Sequence, residues 1–211
     1  MRSILWGLLS LVLVSCATHK VPYVKSLNYT DQIFTPVPFV AHTEPGPFKS
    51  YLTMSLSYPG FESLLREVEK STGTTLKNRG EAHITVITPP EFDTALSKKI
   101  SMKEINTLAE KLRIQGTPFK PLCVGKGVAT LHGAEQTTYF VVIESESLFK
   151  LRKAIQDLYI AKGGQAADFN PDLFFPHVTL GYTERDLHFE DGIKKDVSKC
   201  FINLEPGPRK K

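Results

Sequence analysis

The chain writes one four-residue phrase twice. His83-Ile84-Thr85-Val86 lies within EAHITVITPPEF, and His177-Val178-Thr179-Leu180 lies within FFPHVTLGYTE. Both phrases are rich in β-branched residues and alternate polar with apolar, the period of a half-buried strand. Residues two apart on a strand share a face. His83 and Thr85 therefore point one way and Ile84 and Val86 the other; His177 and Thr179 are likewise opposed to Val178 and Leu180. Each phrase is a strand with an apolar back to bury and a His/Thr front. Two such strands placed near each other in one sheet bring two imidazoles and two hydroxyls to a common groove.

The surrounding pattern supplies the elements such a sheet needs. KSYLTMSLSY alternates as a strand, Pro59-Gly60 reads as a turn, and FESLLREVEKST has helical spacing before Gly73. AHITVIT is a β-rich run stopped by Pro89-Pro90. SMKEINTLAEKLRI opens with Ser101 and Glu104 in capping-box spacing, so a helix is expected there. FKPLCVGKGVATL and TTYFVVIES read as strands joined by a turn around His132-Gly133. SLFKLRKAIQDLYIAKGG is an amphipathic helix ended by glycines, and KCFINLEP is a last strand. Helices interleave with strands, but hairpin-like neighbours also occur, which favours an α+β fold over a doubly wound parallel sheet.

The first 20 residues, MRSILWGLLSLVLVSCATHK, are set apart from this pattern. Arg2 precedes an apolar run from Ile4 to Val14, too short for a spanning helix and of the length of a signal-peptide core. The run closes in Leu13-Val14-Ser15-Cys16, which resembles the lipobox of bacterial lipoproteins. That resemblance implies cleavage before Cys16, acylation of Cys16, and, with Ala17 next, sorting to the outer membrane on its periplasmic side. An ordinary secretory signal with a chance cysteine is the alternative. The expected organisation is a signal peptide at 1–15, a lipid-anchored, proline-containing tether at 16–47, a domain at 48–205 and a basic tail at 206–211. Apolar Phe34, Val37, Phe39 and Val40 leave room for part of the tether to pack on the domain.

Composition narrows the partners. A formal net charge of +4 across 211 residues suits an anionic substrate without demanding nucleic acid, and no DNA partner is expected. Cys123 and Cys200 remain after the signal segment. In an oxidising compartment they can pair, but both sit in strand-like segments where single buried thiols are common. No Cys/His cluster suggests a metal site.

Two imidazoles and two hydroxyls suit phosphoryl transfer. Imidazole has an ordinary pKa of about 6.5, so near neutral pH one ring can take a proton from water while the other gives one to a departing oxygen. Threonine hydroxyls can donate to phosphoryl oxygens as charge shifts. The paired phrases, their separation and FFPHVTLGY resemble the two-histidine (2H) phosphoesterase superfamily. The resemblance covers about residues 48–205. It implies a bilobal α+β fold with two pseudo-symmetric antiparallel-sheet halves, helices on the outer faces and a groove between. It also implies metal- and cofactor-independent hydrolysis of a phosphodiester, foremost a 2′,3′-cyclic phosphate of a nucleotide or RNA end, by a monomer. Carried over residue by residue, His83 and His177 are the acid/base pair and Thr85 and Thr179 bind phosphate. The rival reading is a non-catalytic envelope lipoprotein that binds an anionic ligand in the same groove.

Other residues have bland expectations. Many members of the superfamily carry a basic residue shortly after the second motif, where this chain has Gly181-Tyr182; Tyr182 is expected in the core unless a bulge intervenes. Lys77 and Arg79 read as a solvated turn that could neutralise phosphate, and Lys126 as an exposed lysine or a groove residue. Tyr139 and Phe140 are expected to split between core and open face. His42, His132 and His188 are expected at the surface, and YTERDLHFEDGIKKD reads as a solvated loop.

Overall fold

A computed structural model describes residues 26–208; the signal segment, Cys16 and residues 209–211 lie outside the described residues. In chain order the strands are β1 (Ser26–Tyr29), β2 (His42–Thr43), β3 (Ser50–Leu56), β4 (Ala82–Ile87), β5 (Lys120–Leu131), β6 (Ala134–Glu144), β7 (His177–Tyr182) and β8 (Cys200–Pro206). The helices are α1 (Tyr58–Thr72), α2 (Pro89–Thr94), α3 (Met102–Lys111) and α4 (Glu146–Ala161). The strands form two sheets, β2-β3-β4 and β1-β8-β5-β6-β7. All pairings are antiparallel except β1 with β8. The halves expected from the sequence are present, but one is larger.

The two sheets are interlocked. The motif strands β4 and β7 pack against each other, one from each sheet. α1, which connects the β3–β4 pair, packs on β1 and β7 of the other sheet; α4, which connects β6 to β7, packs on β4 and α3. The apolar backs of both motifs, Ile84, Val86, Val178 and Leu180, are buried in one continuous core.

Three local differences from the sequence expectation have physical causes. Pro59 and Gly60 belong to the first turn of α1, where a proline needs no hydrogen-bonded N–H, rather than to a preceding turn. Gly60 is required there because a Cβ would lie 2.7 Å from the Ile33 side chain and 2.8 Å from its backbone nitrogen. Pro89 and Pro90 do end β4, but they also open α2, with Thr88 and Glu91 forming a capping box. The segment expected as a tether contributes β1 and β2, with Leu27 and Ile33 buried, so the folded unit begins by Ser26. Ser101 and Glu104 form the capping box at α3 that their spacing predicts.

Cys123 on β5 and Cys200 at the start of β8 form a disulfide with their Cα atoms 5.7 Å apart. It joins neighbouring strands at the point where the chain returns from the segment 183–199.

Candidate active site

Strand alternation alone would place His and Thr on one face of each motif; both strands then break the alternation at the same place. The β3–β4 register slips by one residue after Thr85, and the β6–β7 register slips after Thr179. Val86 with Ile87, and Leu180 with Gly181, are consecutive buried pairs, as a one-residue bulge requires. A bulge leaves a backbone group off the ladder, and here a side chain meets each one. Arg152 Nη1 donates to the Val86 carbonyl at 2.6 Å, and Asn78 Nδ2 donates to the Leu180 carbonyl at 2.7 Å. The second bulge also turns Tyr182 to the groove side instead of the core.

His83, Thr85, His177 and Thr179 all line one groove of about 600 Å³. The same groove is lined by Arg79, Tyr182, Asp186, His188 and Lys195. His188, expected at the surface, faces this groove while staying exposed. Lys126 does not line it; its ammonium lies over Tyr139 and Phe201. Tyr139 and Phe140 are both buried, so neither offers an open ring for stacking.

The second motif is tightly held. His177 Nδ1 lies 2.7 Å from the Phe175 carbonyl oxygen. A carbonyl can only accept, so Nδ1 carries the proton and Nε2 of the neutral ring keeps its lone pair. Burial and the charge of Lys195 push the His177 pKa down to about 3. Thr179 Oγ1 donates to Asp186 Oδ2 at 3.0 Å and accepts from Lys195 Nζ at 3.3 Å. Lys195 Nζ also lies 2.8 Å from both carboxylate oxygens of Asp186, and Thr138 Oγ1 donates to Asp186 Oδ1 at 2.6 Å. Burial would raise the Asp186 carboxyl, but the charge and hydrogen bonds of Lys195 prevail and hold it at about 2. Burial pulls Lys195 below the usual lysine range despite its partner.

The first motif is open by comparison. Thr85 Oγ1 has no hydrogen-bond partner among the described residues. His83 Nδ1 lies 3.7 Å from Glu81 Oε1. Burial lowers the His83 pKa, and the Glu81 carboxylate opposes that by favouring the charged ring.

Asp186 and Lys195 are the residues that sequence reading missed. They sit in the stretch expected as a solvated loop, yet Lys195 is only 3% exposed. The apolar Leu187 and Ile193, both buried, were the available signal that this stretch folds inward. A basic group does stand beside the second motif, but it arrives 16 residues after Thr179 rather than directly behind it. Among the described residues no cluster of three or more His, Cys, Asp or Glu is placed to hold a metal ion.

Two curled antiparallel sheets with a His/Thr pair from each facing one groove define a phosphoesterase fold of the two-histidine type. The family model of the Swiss Army Knife, 2H phosphoesterase domain matches residues 50–188, about two thirds of the chain, and the protein belongs to that family. No curated protein and no solved structure matched the chain. Membership points to phosphodiester hydrolysis in general.

Proposed function

We propose that the protein hydrolyses a 2′,3′-cyclic phosphodiester without a metal, with His177 as general base and His83 as general acid. The observation that carries this is the hydrogen bond from His177 Nδ1 to the Phe175 carbonyl, which leaves Nε2 as an unprotonated acceptor in the groove. Water attacks phosphorus as Nε2 takes its proton, while the ester bond to the departing ribose oxygen breaks. Burial lowers the His83 pKa and Glu81 partly offsets that, so on the acid side His83 as imidazolium gives that oxygen its proton. Thr85 donates to a phosphoryl oxygen directly. Thr179 and Lys195 bind a second oxygen as the substrate phosphate competes with Asp186 for them. Incubating the purified protein with 2′,3′-cyclic nucleotides in the presence of EDTA tests the reading. Ring opening to a single nucleoside monophosphate isomer is expected, and no turnover of any such compound overturns it.

The expected setting is the cell envelope, with Cys16 as the acylated first residue of the mature chain and the folded unit facing the periplasm. The Cys123–Cys200 disulfide supports an oxidising compartment. Mass spectrometry of the mature N-terminus decides it; an unmodified N-terminus at another residue removes the lipoprotein proposal and leaves the catalytic one standing.

A further inference from the structure

The charges that line the groove fall into two kinds. Arg152 is 1% exposed and bound to Glu91 Oε1 at 2.7 Å, and Lys195 is held by Asp186 at 2.8 Å. Each pair is internally neutral. Of the lining cations only Arg79 has no ion-pair or hydrogen-bond partner among the described residues. Two lining carboxylates, Glu81 and Glu190, have no lysine or arginine partner there. Although the whole chain carries +4, the groove itself has no surplus of positive charge. Three lysines, Lys98, Lys99 and Lys103, instead line a separate hollow beside α3.

The rim of the groove is apolar. Phe48 is 65% exposed, Leu173 48% and Phe189 47%. Phe189 stacks on Phe175 with ring centres 5.9 Å apart and planes at 17°, which fixes its ring as a platform. A volume of about 600 Å³ is in the range of sites that enclose one small molecule.

We propose that the groove selects a compact phosphodiester bearing one negative charge and an aromatic substituent, such as a cyclic mononucleotide with a free 5′-hydroxyl. An RNA end or a nucleotide with a second phosphate is disfavoured. This rests on the cyclic-phosphodiesterase reading of the same groove. One diester charge meets Lys195, which it draws from Asp186, together with Arg79 and a protonated His83. A second phosphate finds no unpaired lining cation and faces Glu81 and Glu190, in a cleft where water screens them incompletely. The base lies against Phe189, since an exposed ring stacks on any base.

The test compares kcat/KM for a 2′,3′-cyclic nucleoside monophosphate with and without a 5′-phosphate, at low salt and at about 0.5 M salt. The 5′-hydroxyl compound is expected to be preferred about tenfold or more at low salt, with the gap narrowing as salt screens it. Glu190→Lys narrows the gap at low salt, and Phe189→Ser raises KM about fivefold or more with little change in kcat. Equal or reversed preference for the two compounds overturns the charge rule, and an unchanged KM in Phe189→Ser overturns the stacking platform. If neither compound is hydrolysed, the catalytic reading fails, and titration calorimetry of both compounds against the wild-type protein then decides the selectivity separately. Tighter binding of the 5′-hydroxyl form upholds it; equal, weaker or no binding overturns it.

Discussion

The two motif strands share their phrase, their buried back and even their bulge, but not their surroundings. Around His83 and Thr85 the polar groups are loosely held, with a carboxylate 3.7 Å from one ring nitrogen and a hydroxyl without a partner among the described residues. In the second motif His177 Nδ1 is fixed by a carbonyl, and Thr179 Oγ1 by a carboxylate and an ammonium. Repetition therefore sets the backbone, while the neighbours that are not repeated separate the chemistry. A backbone carbonyl beside His177 fixes a neutral tautomer, and a carboxylate beside His83 favours a charged ring. In the mechanism proposed above, one phrase written twice would serve as base in one strand and acid in the other.

Removing the rings has the largest expected effect. His177→Ala and His83→Ala should each lower kcat by about 100-fold or more. The comparison sharpens with a phosphodiester whose leaving group is an aryl oxide, which departs without a proton. Activity of His83→Ala should then recover towards wild type while that of His177→Ala should not. Equal recovery in both, measured by aryl oxide release, would reverse or dissolve the assignment.

Next comes the buried pair behind Thr179. Lys195 and Asp186 are buried together, and a buried pair of this kind adds little net stability although an orphaned partner is costly. Lys195→Met alone should destabilise the fold by about 3–5 kcal/mol in urea unfolding. Lys195→Met with Asp186→Asn should regain most of that stability yet remain impaired in turnover. If turnover returns with stability, the pair is structural and the comparison between the two halves weakens.

Smaller effects separate the hydroxyls and the pH limbs. Thr85→Val should cost about tenfold or more in kcat, as loss of a donor free to meet the phosphate. The profile of kcat/KM should be bell-shaped and lie on the acid side. It rises with an apparent pKa near 3 as His177 becomes neutral, and it falls, below the ordinary imidazole value of about 6.5, as His83 loses its proton. Glu81→Gln removes the carboxylate that raises His83, so the falling limb should move to lower pH while the rising limb stays. A falling limb above pH 7 would contradict this. The smallest expected effect is none: chelators should leave turnover unchanged, and loss restored by zinc or manganese would overturn the metal-free proposal.

Much of this was legible in the sequence because it rests on short-range pattern. Alternation gave the motif faces, and Ser101 with Glu104 gave the start of α3. Long-range arrivals were not legible. Asp186 and Lys195 look like members of a charged loop until β6 supplies Thr138 and β7 supplies Thr179 as their partners. The bulges were also hidden, because Val86-Ile87 and Leu180-Gly181 read as an unremarkable continuation of each strand. The sequence leaves the disulfide undecided for the same reason, since only the β5–β8 pairing brings Cys123 to Cys200.

Arg152 has a consequence for how the chain must assemble. Its guanidinium lies between the rings of Phe169 and Phe174, with its carbon 4.7 and 4.8 Å from their centres. Its donors are met by Val86 on β4, by Glu91 of α2, and by the carbonyls of Asn170, Pro171 and Leu173 in the approach to β7. A charge buried that deeply is tolerated only when all its acceptors have arrived. Half a molecule, cut between the two motifs, would strand it. With α1 and α4 each lying across the other half's sheet, the two lobes cannot mature one after the other as separate folding units. Urea unfolding should therefore proceed as a single transition, and the groove should vanish in the same step as the core.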